Sequence, residues 1–332
     1  MNLLSTVQAQ TTAVETLRRA LAAGRVHHAY LFDGPEGVGK ERTAFGLAQA
    51  LVCERRAEGS AEACGACRAC ARAVPREGET RPVHPDVVVL ERGLYDPATI
   101  GRRSPETQDI SIDQVRTVVL ARAAFPPHEG RAKVFIVRRA EELSTSAANA
   151  LLKTLEEPGA RTHFVLLSAT PDALLPTIRS RTQRVRFGAL PDAVVTSLLV
   201  ERGIEAAQAA AIAPLAGGSM ATALTLGDPE ASARRGEFVA RAMGALESRD
   251  AGPLFELAEE AKKGDKATLI VQLEALAAAL GEKARAAAGA QDRGADVAAA
   301  RHALVLAAVR QLDANASTQL AVEAMLLKMR AL

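Results

Sequence analysis

The stretch Leu31-Phe32-Asp33-Gly34-Pro35-Glu36-Gly37-Val38-Gly39-Lys40-Glu41 sets the fold of the first half of the chain. His28 to Phe32 is a short apolar strand. A glycine-rich loop follows, then a helix expected from about Glu41 to Cys53. The pattern G-x-x-x-x-G-K is complete from Gly34 to Lys40. In such a loop the backbone N–H groups turn inward around phosphate oxygens, and glycines permit the tight curl. Lys40 would set a positive charge on the terminal phosphates, beside the positive end of the helix. Gly34, Gly37, Gly39 and Lys40 are therefore the candidate nucleotide-binding residues. The eighth position calls for Ser or Thr, whose hydroxyl ligates Mg²⁺; here it is Glu41. A carboxylate there would repel phosphate or crowd the metal. The loop reads as able to hold ATP or ADP but poorly equipped to use it, with its Mg²⁺ site lost.

Composition narrows the class. The chain has 332 residues, 48% of them hydrophobic, enough to bury a core in each of two or three domains. Its 41 basic and 39 acidic residues give a net charge of +2, which is no broad electrostatic footprint for nucleic acid. Aromatics are 3% with no Trp, which disfavours a base-stacking platform. No apolar run approaches a membrane span. The amphipathic segment Thr11 to Ala23 reads as a helix and not as a signal peptide, so a soluble, cytoplasmic protein is expected.

Strand patterns recur at Asp86–Leu90, Lys133–Val137, Thr162–Ser168 and Arg184–Phe187, the last an edge strand. Helices are expected at Ile110–Ala124 and from a Ser144 cap to Glu157, where Pro158 ends it. Strands spaced by helices imply an α/β domain with a parallel sheet over 1–187. From Leu190 onward no strand pattern survives and Ala dominates. Three short helices form a small helical domain over 188–228. A run of longer Ala/Leu helices fills 229–332, broken at Gly252-Pro253, Gly264-Asp265 and near Gly281.

All four cysteines lie close together, at Cys53, Cys64, Cys67 and Cys70. The C-x-x-C-x-x-C spacing lets thiolates converge at about 2.3 Å on one Zn²⁺, with Cys53 closing the tetrahedron from the helix end. Four protein ligands leave no open position, so the zinc would be structural. An iron–sulfur cluster uses similar spacing and free thiols are the bland reading; disulfides do not suit a cytoplasmic setting.

A working ATPase needs, after the strand Val134-Phe135-Ile136-Val137, an Asp for the Mg²⁺ shell and a Glu to polarise water. The residues there are Arg138 and Arg139, with Glu141 and Glu142 a turn later. Guanidiniums stand where carboxylates belong, and Glu41 alters the other half of the metal site.

Further segments carry a resemblance: His27-His28-Ala29-Tyr30-Leu31-Phe32 ahead of the loop, the four-Cys module, Ala148-Asn149-Ala150-Leu151-Leu152-Lys153-Thr154-Leu155-Glu156-Glu157-Pro158, and Leu175-Pro176-Thr177-Ile178-Arg179-Ser180-Arg181. Over about residues 7–227 the chain resembles the bacterial clamp-loader AAA+ family of DNA polymerase III. The resemblance implies a phosphate-loop AAA+ domain with an inserted zinc module over 1–187, a helical lid over 188–228 and an all-helical oligomerisation collar over 229–332. It implies partners in a hetero-pentamer with motor subunits and a delta-type subunit, acting on a sliding clamp and primed DNA, with no membrane. The family's Ser-Arg-Cys, whose Arg reaches a neighbour's ATP site, appears as Ser180-Arg181-Thr182. Arg181 is thus the implied catalytic residue acting in trans. The family's first sensor residue falls at Ser168 or Thr170. Its second sensor motif falls on Gly218-Ser219-Met220-Ala221-Thr222-Ala223, with Thr222 in place of the phosphate-contacting Arg. These losses imply a member that does not itself hydrolyse ATP. Two rival readings are an ATP-hydrolysing motor subunit, and a zinc-dependent DNA-binding module using Arg68, Arg72 and Arg76.

Overall fold

In a computed structural model of the chain, the apolar segments form one five-stranded parallel sheet. The structure describes residues 1–101, 109–248, 250–264, 266–289, 294–313 and 316–332. Two compact units emerge, Met1–Leu224 and Thr225–Leu332.

In the first unit α1 (Thr11–Ala22) precedes β1 (Ala29–Asp33), and α2 (Lys40–Val52) follows the glycine loop. The short α3 (Arg68–Arg72) lies in the Cys-rich insertion, ahead of β2 (Val87–Leu90). A helical stretch, α4, runs through Ile112–Gln114, Val115–Leu120 and Ala121–Ala123. Then come β3 (Lys133–Val137), α5 (Thr145–Glu156), β4 (Thr162–Ser168), α6 (Pro176–Arg179) and β5 (Gln183–Arg186). Three helices end the unit: α7 (Asp192–Glu201), α8 (Ala206–Ile212) and α9 (Met220–Gly227), which runs past its boundary.

The sheet order is β2-β3-β4-β1-β5. Parallel neighbours require crossovers, which the helices supply. Side chains alternate across the pleat. Leu31, Val88, Leu90, Phe135, Phe164 and Leu166 share one face and pack on Leu151 and Leu155 of α5. The Phe135 and Phe164 rings, in register, stack at 5.0 Å. Each such buried ring contributes about 1.5–3 kcal/mol. Phe32 turns to the other face, where its ring meets Phe187 at 5.2 Å. β5 is the expected edge strand, with Val185 its buried residue. Strand order reverses at β1, so the glycine loop opens at the strands' C-terminal ends, where open α/β sheets place ligands.

Two local expectations are corrected. The helix expected over Ile110–Ala124 contains a π-helical segment over Val115–Leu120. Its start is fixed by a capping box, Gln114 N donating to Ser111 Oγ at 3.3 Å and Ser111 N to Gln114 Oε1 at 3.0 Å. The second correction lies in the helical unit, which comprises α10 (Pro229–Glu247), α11 (Gly252–Lys263), α12 (Lys266–Gly289), α13 (Gly294–Asp313) and α14 (Thr318–Arg330). Here α12 runs unbroken through Gly281. Packing overrides the glycine's roughly 1 kcal/mol cost: His302 of α13 sits against this position and its Nδ1 lies 2.8 Å from the Ala277 carbonyl. The expected break at Gly264-Asp265 falls partly outside the described residues, at Asp265. Leu257, Leu273, Leu276, Val305, Leu312 and Val322 form this unit's core. No described helix is long and apolar enough to cross a membrane.

Candidate functional site

The glycine loop takes the shape its sequence dictates. Gly34, Gly37 and Gly39 have φ of +147°, +72° and +103°, which side-chain-bearing residues rarely adopt. Space also forbids a side chain at two of them. A Cβ at Gly34 would lie 2.2 Å from the Phe187 carbonyl oxygen, and one at Gly37 would lie 2.3 Å from Ala221 N. Lys40 opens α2 and folds back, its Nζ donating to the carbonyls of Gly34 and, at 2.6 Å, Pro35. Burial lowers its pKa, with Glu36, Glu141 and Asp33 acting in the opposite direction. Ser219 touches the loop directly, its hydroxyl donating to the Glu36 carbonyl at 2.8 Å. Thr222 is exposed. Gln10, which no motif marks, braces the loop: its Nε2 donates to Val38 O at 3.2 Å and Gly188 O at 2.8 Å.

Beside the loop is a cleft of about 1180 Å³ lined by Lys40, Glu41, Arg138, Glu141, Ser168 and Met220, among others. Ser168 is 1% exposed. Its Oγ and Glu141 Oε2 are buried without a hydrogen-bond partner among the described residues. Thr170 is exposed and does not line the cleft.

The two departures from a metal-binding pattern meet here. Arg138 follows directly on β3, its N–H donating to Leu90 O at 2.9 Å. Its guanidinium pairs with Glu41, with Glu91 Oε2 at 2.7 Å, and with the Thr80 carbonyl at 3.1 Å. The Phe45 ring lies under it at 5.9 Å. Burial works against its charge, but Glu41 and Glu91 outweigh burial and hold its pKa above the ordinary value. Arg139 is half exposed, at φ +45°, with Glu36 at 3.5 Å and Glu142 at 3.6 Å. Glu141 is used structurally, Oε1 accepting from Ala169 N at 3.1 Å. A cation thus lies between Glu41 at the start of α2 and the end of β3. Glu91 was not marked by any sequence motif; only the strand pairing of β2 and β3 brings it here.

The four cysteines converge, their sulfurs all within 4.8 Å of one another. Cys53 and Cys67 sulfurs are 4.0 Å apart, and those of Cys64 and Cys70 are 3.8 Å apart. Tetrahedral zinc at about 2.3 Å from each sulfur requires a separation of roughly 3.8 Å, so the donor set fits Zn²⁺. Backbone N–H groups of Cys64, Cys67 and Cys70 point at the sulfurs of Cys53, Cys64 and Cys67 at 3.3–3.4 Å. Such bonds stabilise thiolate. The N–H groups of Ala66 and Cys67 bring the Cys64 thiol to about 6, whereas burial pushes the Cys70 thiol up. Of the arginines near this module, Arg72 is committed to Glu129 at 2.6 Å, while Arg68 and Arg76 are exposed.

Arg181 lies two residues past α6 and outside the cleft lining. It pairs with Glu156, and its Nη1 donates to Thr177 O at 3.0 Å. Neighbouring arginines are also engaged: Arg179 with Asp172 at 2.7 Å, and Arg184 with Asp33 through Nε at 2.6 Å. Thr182 keeps its hydroxyl on Ile178 O at 3.2 Å.

The family model described as DNA polymerase III, delta subunit matches residues 9–191. Among curated relatives, DNA polymerase III subunit gamma/tau of Mycobacterium tuberculosis is 37% identical over 194 residues, covering 58% of this chain and 30% of the relative. DNA polymerase III subunit delta' of Pseudomonas aeruginosa is 41% identical over 156 residues, covering 46% of this chain and 41% of the relative. The Bacillus subtilis delta' is 32% identical over 195 residues, covering 59% of this chain and 52% of the relative. The chain therefore spans between about a third and a half of the length of these relatives. A gamma subunit-related protein of Thermotoga maritima, of known structure, superposes with a TM-score of 0.51 at 18% identity, covering 96% of this chain and 98% of that one. That likeness concerns the fold.

Proposed function

This chain belongs to the DNA polymerase III delta-subunit family of clamp-loader proteins, and we propose that within it the chain acts as a delta-prime-like subunit that hydrolyses no ATP. It would take its place in a hetero-pentamer with motor subunits and a delta-type subunit, in the cytoplasm. It would present Arg181 to the ATP site of the adjacent motor subunit while the assembly loads a sliding clamp onto primed DNA. Three parts serve that role: a AAA+ domain over 1–187, a lid over 188–228 and a collar over 229–332. The observation that carries the reading is the ion pairing of Arg138 with Glu41 and Glu91. In-line attack of water on a terminal phosphate needs a cation to neutralise developing charge and a base to orient the water. Here Glu41 and Arg138 neutralise one another, Arg138 and Arg139 are the residues that directly follow β3, and Glu141 is turned to the Ala169 N–H. Gly34, Gly37, Gly39 and Lys40 would hold a nucleotide as a structural ligand, with Ser168 as the first sensor. Zinc on Cys53, Cys64, Cys67 and Cys70 would serve as a structural tie, supplying rigidity and no chemistry.

An arginine finger in trans changes phosphoryl-transfer rates by roughly 10³–10⁵. The test is ATP turnover. The purified full chain should show none above background with Mg²⁺. Arg181→Ala should leave the reconstituted complex intact by gel filtration and depress its turnover at least about tenfold. Unchanged turnover in that complex removes the finger. The similarity to gamma/tau subunits favours the motor reading instead; steady hydrolysis by the chain alone, abolished by Lys40→Ala, would establish it.

A further inference from the structure

Building on the assignment of Arg181 to a neighbour's phosphate, we propose that Glu156 is a positioning residue that sets the plane of the Arg181 guanidinium before any phosphate arrives. Glu156 is the last residue of α5, where the helix dipole disfavours a carboxylate. Its partner lies 25 residues away in sequence.

Both ends of the pair are rigidly held. Leu151 and Leu155 are fully buried and fix the last turns of α5. On the other side Ile178 is fully buried, and Thr182 ties its hydroxyl to Ile178 O at 3.2 Å and Arg179 O at 3.1 Å. Arg181 Nε and Nη2 both donate to Glu156 Oε1, and Nη1 donates to Thr177 O at 3.0 Å.

A guanidinium has two donor edges. The side edge, Nε with Nη2, is docked on Glu156. Nη1 also reaches Ser180 Oγ, at a long 3.4 Å, while Nη2 keeps a second N–H, so the end edge still offers a donor to a tetrahedral oxyanion. The head is also reachable: the Arg181 side chain is 32% exposed. A long exposed arginine otherwise loses rotamer freedom at the moment it engages charge. Docking it beforehand on a packed helix end is preorganisation, which acts on the transition state and little on ground-state binding.

The experiment compares four complexes reconstituted with motor subunits: those carrying Arg181→Ala, Glu156→Ala, Glu156→Gln and the Arg181→Ala/Glu156→Ala double change. Each is scored for assembly and for steady-state ATP turnover. Glu156→Ala should lower kcat about tenfold, with KM for ATP within about twofold. Glu156→Gln keeps an oxygen acceptor in place and should retain an intermediate rate, which also guards against a folding defect in the alanine variant. The double change should be no slower than Arg181→Ala alone, because both act through one group. If Arg181→Ala slows the complex while both Glu156 variants run at the parent rate or faster, Glu156 positions nothing. If Arg181→Ala itself runs at the parent rate, the finger assignment falls, and this inference with it.

Discussion

Arg138 concentrates the chemistry of the cleft in one side chain. It is 13% exposed and draws partners from three stretches of chain: Glu41 at the start of α2, Glu91 just past β2, and the Thr80 carbonyl. A buried cation without partners would be expensive, and these three offset that cost. Truncating it strands two carboxylates. Arg138→Ala should therefore destabilise the first unit by about 1–3 kcal/mol, read as a lower urea midpoint at unchanged slope. Arg138→Lys should recover part of this, since an ammonium cannot fork between two acids. A midpoint equal to the parent's would show that the pairs contribute nothing net.

At the scale of elements, the cysteine cluster is assembled from helix ends. Cys53 ends α2, Cys67 caps α3 with its sulfur, Cys70 lies within α3, and Cys64 comes from the loop between. Gln49 joins them to the N-terminal segment, accepting from Leu3 N at 3.1 Å and donating to Cys70 O at 3.2 Å. Cys67→Ser should remove zinc, expected near one per chain by metal analysis of the parent, and lower the melting temperature by about 5 °C or more. Full stability without metal, or iron in place of zinc, would refute this. The elements themselves were legible because their signals are local. Val87–Leu90 and Val134–Val137 are continuous apolar runs, Ser144 caps α5 by accepting from Ala147 N at 3.2 Å, and the cysteine spacing is periodic. Their pairings were not legible. Glu91 and Glu156 find their arginines only through strand and helix packing across 47 and 25 residues. The π-helical segment in α4 has no residue signature, and Gly281 suggested a break that contact with α13 overrules.

For the whole molecule, each unit has its own apolar core. The helical unit's core centres on Leu273, which is fully buried. Leu273→Ala should cost that unit about 2–5 kcal/mol and leave zinc content unchanged, as circular dichroism melts and metal analysis would report. Loss of zinc in this variant would mean that the units share one cooperative transition. The pairing at Arg138 also ties together what positions 41, 91 and 138 can each become. A carboxylate placed at position 138 alone would join Glu41 and Glu91 as a third acid in one corner. Replacing Glu41 first would leave the guanidinium short of one anchor. Either single replacement therefore costs stability that only a paired change would recover, so positions 41 and 138 are energetically coupled.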